Sequence, residues 1–73
     1  MKYLVIYEQA DDGGFTAYAP ELQPGAVVST GKDHEEGRRM IGEAINLYLE
    51  EMQASGQSVS KSPIRYELLE IAG

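Results

Sequence analysis

The chain has 73 residues, and its 12 acidic residues against 6 basic ones give a formal net charge of −6. This acid excess argues against direct binding of nucleic acid, because phosphate contacts need clustered lysine and arginine side chains. With no cysteine and one histidine the chain offers neither a disulfide nor a zinc site, and so small a domain without such crosslinks is expected to form a homo-oligomer, a dimer or larger.

Three short strands are predicted in the first half of the chain. The apolar run within Lys2–Glu8 predicts a strand that is apolar on both faces, which suits a central position in a sheet. Asp11–Gly14 has the composition of a tight turn, so Phe15–Ala19 is predicted to return antiparallel to the first strand. A corner over Glu21–Gly25 then leads to a third strand over Ala26–Thr30.

One amphipathic helix is predicted after the third strand. Asp33 has the position of an N-cap, and Glu36 follows three residues later as in a capping box. Gly56 is a natural stop, and a glycine on the packed side, Gly37 or Gly42, would let the helix lie close to the sheet. The helical spacing is carried by apolar residues at Ile41, Ala44, Ile45, Tyr48 and Met52.

The alternation within Ile64–Ile71 predicts a fourth strand after the helix. The order β-β-β-α-β with a right-handed crossover gives a single α+β domain over residues 1–73, with the sheet order 3-2-1-4 and one helix on one face. A helix about 10–12 Å wide covers only part of such a sheet. We therefore expect the uncovered face or the edge at the third strand to mediate self-association or partner binding.

No arrangement of side chains in the sequence predicts catalysis. The first strand has no acidic residue before Glu8, so the convergent ligands of a metal-dependent nuclease are missing, and His34 has no neighbouring nucleophile. We expect no enzymatic activity, no cofactor and no metal. No segment approaches the ~20 apolar residues of a membrane span or has the form of a signal peptide, which predicts a cytoplasmic protein without membrane contact.

The segment Gly14–Leu22 (GFTAYAPEL), with the Pro24-Gly25 pair after it, resembles the signature of the HicB family. These proteins, with a HicB-like or UPF0150 domain, are antitoxins of bacterial type II toxin–antitoxin pairs. Ser29-Thr30-Gly31 and Glu35-Glu36 extend the resemblance, which covers residues 1 to about 56. The chain departs from the family pattern at Gln23, which is inserted in the corner. Many family members also carry a C-terminal DNA-binding domain, which we do not expect here.

The resemblance implies a partial ribonuclease H-like fold that binds and blocks a HicA-type toxin, a small basic protein that cleaves messenger RNA. The acidic balance of the chain would steer such a partner. The alternative is an orphan, self-associating HicB-like domain without toxin or enzymatic activity. Sheet packing is a second explanation for the two aromatic residues among the implied contacts, and turn formation for the two aspartates. The implied toxin contacts are Asp11, Asp12, Phe15, Tyr18, Glu21, Leu22 and Gln23.

Overall fold

The computed structural model describes residues 1–22, 27–59, 61 and 63–72. Its elements are β1 (Ile6–Gln9), β2 (Phe15–Ala19), β3 (Val27–Gly31) and α1 (His34–Ala54). The three strands form one antiparallel sheet in the order β1-β2-β3, and α1 packs on β2 and β3. The predicted α+β class is confirmed, with the helix on one face of the sheet.

A tight hairpin joins β1 to β2, as the sequence predicted. The backbone N–H of Ala10 donates to the carbonyl of Gly14 at 2.7 Å, and the N–H of Gly13 donates to the carbonyl of Ala10 at 3.0 Å. Gly13 has a φ of 92°, which an L side chain rarely adopts. The Oδ1 atom of Asp12 accepts from the N–H of Gly14 at 2.9 Å, so this aspartate helps to fix the turn.

The first strand is shorter than predicted, because it begins at Ile6 rather than at Lys2. Extending the register from the pair Ile6↔Tyr18 places Leu4 opposite Pro20, which has no N–H to donate to a ladder. The N–H of Leu4 donates instead to the Glu21 carboxylate. The third strand is shifted by one residue from the prediction, to Val27–Gly31, and its predicted first residue, Ala26, lies outside the described residues.

The ends of α1 follow the predicted signals. The Asp33 carboxylate accepts from the N–H of Glu36 at 2.8 Å, which satisfies one of the free donors of the first turn. The Glu36 carboxylate accepts in return from the N–H of Lys32 at 3.0 Å, one residue before the position of a standard capping box. At the other end Gly56 takes a φ of 75° and its N–H donates to the carbonyl of Gln53 at 3.1 Å.

Two glycines bring the start of α1 against the end of β3. A Cβ atom added at Gly31 would lie 2.3 Å from the backbone nitrogen of Gly37, so no side chain fits there. Gly37 is buried, whereas Gly42 is exposed and a Cβ on it would meet no atom within 4 Å. The prediction of a glycine on the packed side of the helix is therefore confirmed at Gly37. Among the described residues, the buried apolar side chains are Ala17, Ala19, Leu22 and Ile41.

The predicted fourth strand, Ile64–Ile71, is not formed in this structure. Residues 63–72, which we call the C-terminal arm, contain no strand and are exposed. The chain returning from α1 makes an isolated antiparallel bridge between Lys61 and Leu22, in the corner after β2, instead of pairing with β1. The sheet order 3-2-1-4 and the ribonuclease H-like fold are therefore not confirmed. Among the described helices, none has the length and apolar character that a membrane crossing requires.

Candidate protein-binding surfaces

The side of the sheet opposite α1, which we call the open face, carries a row of apolar side chains. Because side chains alternate along a strand, the burial of Ala17 and Ala19 beneath the helix places Tyr18 on the other side. The strand register aligns Tyr18 with Ile6 on β1 and with Val28 on β3. Ile6 and Tyr18 are half-buried and Val28 is 58% exposed, so this row presents apolar surface to solvent.

An acidic residue borders the apolar row of the open face. The Tyr18 hydroxyl donates to the Oε1 atom of Glu8 at 3.3 Å. Partial burial, followed by the negative charge of Glu8 and this hydrogen bond, raises the pKa of Tyr18 above its usual value of 10.0. The hydroxyl of Tyr18 thus holds the Glu8 carboxylate beside the apolar row.

More negative charge lies at the end of the β1–β2 hairpin. Asp11 and Asp12 occupy the turn and are exposed, as is Glu8 on β1. We call these three residues the acidic hairpin end. Together with the open face, they combine an apolar centre with a charged border, which is the general anatomy of a protein-binding surface.

Phe15, Leu22 and Glu21, which were also predicted as contact residues, do not join this surface. Phe15 lies on the helix side of the sheet, where its ring centroid is 5.5 Å from that of His34. Leu22 is completely buried (0% exposed), so its side chain belongs to the core. Glu21 is in the corner after β2, where its carboxylate lies 3.8 Å from the Nζ atom of Lys61. Gln23 lies outside the described residues.

A groove separates the N-terminal segment and β1 from α1, because the helix lies over β2 and β3. Tyr3, Val5 and Tyr7 line one wall of this β1 groove, and Ile41 and Ile45 line the other; its volume is about 990 Å³. Its rim is charged, with both signs represented by Lys32, Asp33, Glu35, Glu36, Arg38, Arg39 and Glu43. The apolar walls make the β1 groove a second candidate binding surface.

Sequence analysis missed one contact beside the β1 groove. His34, the first residue of α1, lies between the rings of Tyr7 and Phe15, with centroid distances of 4.6 and 5.5 Å. No local signal could have revealed this arrangement, since it joins two strands and the helix start through tertiary structure. Within the described ranges, no three His, Asp or Glu side chains are grouped so that they could hold a metal ion.

The fold and these surfaces define a small α+β domain with a half-covered antiparallel sheet. The chain is 38% identical over 69 residues to a UPF0150 protein of Synechocystis sp., a match that spans 94% of this chain and 85% of the relative. It is also 44% identical over 46 residues to a UPF0150 protein of Helicobacter pylori, which spans 63% of this chain and 61% of that relative. The chain therefore belongs to the UPF0150 family.

Neither a protein-family model nor a solved structure matches the chain. Membership of UPF0150 confirms the family part of the resemblance. The family name carries no statement of function, so the HicB-type antitoxin role stays a prediction.

Proposed function

We propose that this chain is a HicB-type antitoxin module, which acts in the cytoplasm and neutralises a HicA-type, messenger-RNA-cleaving toxin by direct contact. In this proposal the domain is a partial ribonuclease H-like fold that has kept a binding surface and carries no catalytic site. The resemblance over residues 1 to about 56 supplies the class of partner. The observation that carries the proposal is the combination of the open face with the acidic hairpin end.

The chemistry of this surface suits a small basic protein. The row of Ile6, Tyr18 and Val28 offers an apolar centre from which water can be excluded. The acidic hairpin end and the net charge of −6 would attract a cationic partner over distance and orient it at encounter. Of the predicted contact residues, this surface includes Tyr18, Asp11 and Asp12.

In this proposal, binding of the toxin to the open face inhibits the toxin because this chain competes with RNA for the same toxin side chains. A ribonuclease holds its substrate largely through lysine and arginine side chains that contact phosphates. The carboxylates of Glu8, Asp11 and Asp12 are exposed, and they can pair with the same cationic side chains of the toxin. The toxin bound to the open face would therefore lose access to messenger RNA.

A reconstitution experiment tests the proposal. The purified chain is mixed with each basic HicA-type protein encoded in the same genome, and complex formation is followed by size-exclusion chromatography with light scattering. We expect a stoichiometric complex with one of them and loss of its RNA cleavage. Unchanged cleavage by every such protein, at a saturating excess of this chain, would refute the proposal. The chain alone, with added Mg²⁺ or Mn²⁺, is expected to leave the RNA intact.

A substitution on the open face locates the contact. Val28→Lys places a cation in the apolar row, where it would meet a basic partner, so we expect toxin affinity to fall at least about tenfold, equivalent to about 1.4 kcal/mol. Leu47→Lys is the matched control, because Leu47 on α1 is 57% exposed and Val28 is 58% exposed. Equal affinities of the two variants would show that the toxin does not contact the open face.

The orphan, self-associating domain remains the alternative function. It is favoured by a specific feature, the exposed apolar side chains of the C-terminal arm, of which Leu68 and Ile71 are 103% and 76% exposed. A stable homo-oligomer that inhibits none of the candidate toxins would support this alternative.

A further inference from the structure

The C-terminal arm exposes an unusual amount of apolar surface for so short a segment. Tyr66 is 78% exposed and Leu68 is 103% exposed, and the exposed large apolar residues of the arm also include Ile64, Leu69 and Ile71. The radius of gyration is 14.2 Å, whereas a compact domain of this length has about 11 Å. The longest dimension, 50 Å, far exceeds the other two, 29 and 19 Å. Among the described residues, therefore, none buries the apolar side chains of the arm.

The outer edge of β1 has backbone groups to offer to another strand. Among the described residues, β1 pairs with β2 alone. In an antiparallel hairpin, residues alternate between pointing their N–H and C=O groups toward the partner and away from it. Ala10 bonds toward Gly14, and the N–H of Leu4 also points to the β2 side, where it meets Glu21. The intervening odd-numbered residues, Val5, Tyr7 and Gln9, thus direct their backbone groups outward, and such an edge is a template for a further strand.

The same edge borders the β1 groove. Val5 and Tyr7, whose backbone groups point outward, also line the groove together with Tyr3, opposite Ile41 and Ile45. A strand added along this edge would place alternate side chains over the apolar walls of the groove. On such a strand Ile64, Tyr66 and Leu68 of the arm share one face, and their apolar side chains match the apolar walls of the groove.

We propose that the C-terminal arm of one copy adds to the outer edge of β1 in a second copy and buries its apolar side chains in the β1 groove of that copy. A two-fold dimer results when the exchange is reciprocal. This inference does not depend on the proposed antitoxin function, since it uses a different surface.

The start of the arm is held against the body of the domain. Lys61 is held in the corner by its bridge to Leu22, by a 2.7 Å hydrogen bond from its Nζ atom to the carbonyl of Lys2, and by Glu21 at 3.8 Å. Pro63 fixes its own φ near about −65° and so stiffens the start of the arm. The arm thus starts from a fixed position, and none of its described residues lines the β1 groove of its own copy, which leaves its exposed apolar side chains for a second copy.

The area available is that of a stable dimer. Each apolar side chain removes about 60–120 Å² from water when it is fully buried. Along a strand Ile64, Tyr66 and Leu68 share one face, so three side chains on each of two arms contribute roughly 360–720 Å², and the groove walls lose a comparable area. The total, roughly 700–1,400 Å², overlaps the lower end of the ~1,200–2,000 Å² of a standard specific interface.

Light scattering on the full chain over a range of concentrations tests the proposal. We expect a dimer, and we expect Leu68→Glu in the arm to weaken dimerisation at least about tenfold, because a charge cannot be buried unpaired in the groove. Leu47→Glu is the control, since Leu47 is exposed but lies in neither the arm nor the groove. A monomeric parent chain, or a Leu68→Glu variant that dimerises as tightly as the parent, would overturn the proposal.

Single cysteine variants distinguish exchange from closure within one copy, because the chain has no cysteine of its own. Val5→Cys and Leu69→Cys chains are mixed and treated with a short bismaleimide crosslinker. Exchange predicts a covalent species of two chains that needs both variants in the mixture. If the double variant instead forms only an internally crosslinked single chain, the arm closes on its own β1 edge and the exchange proposal is wrong.

Discussion

The close approach of Gly31 to Gly37 predicts that a side chain at position 31 lowers the free energy of unfolding. A Cβ atom at Gly31 would lie 2.3 Å from the Gly37 nitrogen, 2.7 Å from its Cα atom and 2.9 Å from the carbonyl carbon of Glu36. All three are backbone atoms, which cannot rotate out of the way as a flexible side chain could. Gly31→Ala must therefore displace the start of α1 from β3, where the two elements pack.

The size of the effect follows from the cost of overpacking. Inserting a methyl group into a tightly packed region costs about 1–3 kcal/mol. For a domain of this size each kcal/mol lowers the melting temperature by about 4–8 °C. Thermal and urea unfolding, followed by circular dichroism, measure the change at one fixed protein concentration, because association also contributes to apparent stability.

Gly42→Ala provides the matched control in the same helix. Gly42 is exposed, and a Cβ on it would meet nothing within 4 Å. We expect this variant to gain up to about 1 kcal/mol, because alanine is the better helix former. If Gly31→Ala were as stable as the parent chain, or if both variants changed stability in the same direction, the close approach would not constrain the fold as argued.

Two further substitutions test local interactions. Asp33→Ala removes the acceptor for the Glu36 N–H and should lower the free energy of unfolding by about 1 kcal/mol in urea titrations; an unchanged midpoint would contradict the capping role. Glu8→Gln removes the negative charge beside the Tyr18 hydroxyl, so the pKa of Tyr18 should fall toward 10.0 in an ultraviolet titration. Because the folded phenol holds its proton more tightly than the unfolded one, its contribution to stability is present below pH 10 and is lost as the pH rises through the raised pKa. This alkaline loss should be smaller in Glu8→Gln, and identical alkaline profiles would argue against the Glu8–Tyr18 contact.

Local signals in the sequence explain why the helix and the hairpin were predicted well. The N-cap at Asp33 and the stop at Gly56 depend on contacts between residues two to five positions apart. The turn after β1 likewise depends on Ala10 to Gly14. Such short-range contacts are determined by residues close together in the sequence, so the turn and the helix ends form largely independently of the rest of the fold.

Strand pairing at long range was not predictable in the same way. The alternation within Ile64–Ile71 marks a segment able to form a strand, but a strand exists only where a partner edge accepts its hydrogen bonds. The bridge between Leu22 and Lys61 joins positions 39 residues apart, and no local sequence pattern predicts it. The same distinction holds for the predicted contact residues. Alternation along the strand is enough to place Phe15 and Tyr18 on opposite faces of the sheet. The burial of Leu22, in contrast, depends on long-range packing and could not be predicted from neighbouring residues.

The two proposed interactions occupy different surfaces, which makes them separable by experiment. Toxin binding uses the open face with Val28, whereas arm exchange uses Leu68 and the β1 groove beside α1. Substitutions at sites with no shared partners usually act independently. A Leu68→Glu chain that no longer dimerises should therefore still bind and inhibit the toxin, and a Val28→Lys chain that no longer binds it should still dimerise. Loss of both properties in either variant would mean that dimerisation creates the toxin-binding surface, and the open face of a single copy would then be insufficient for inhibition.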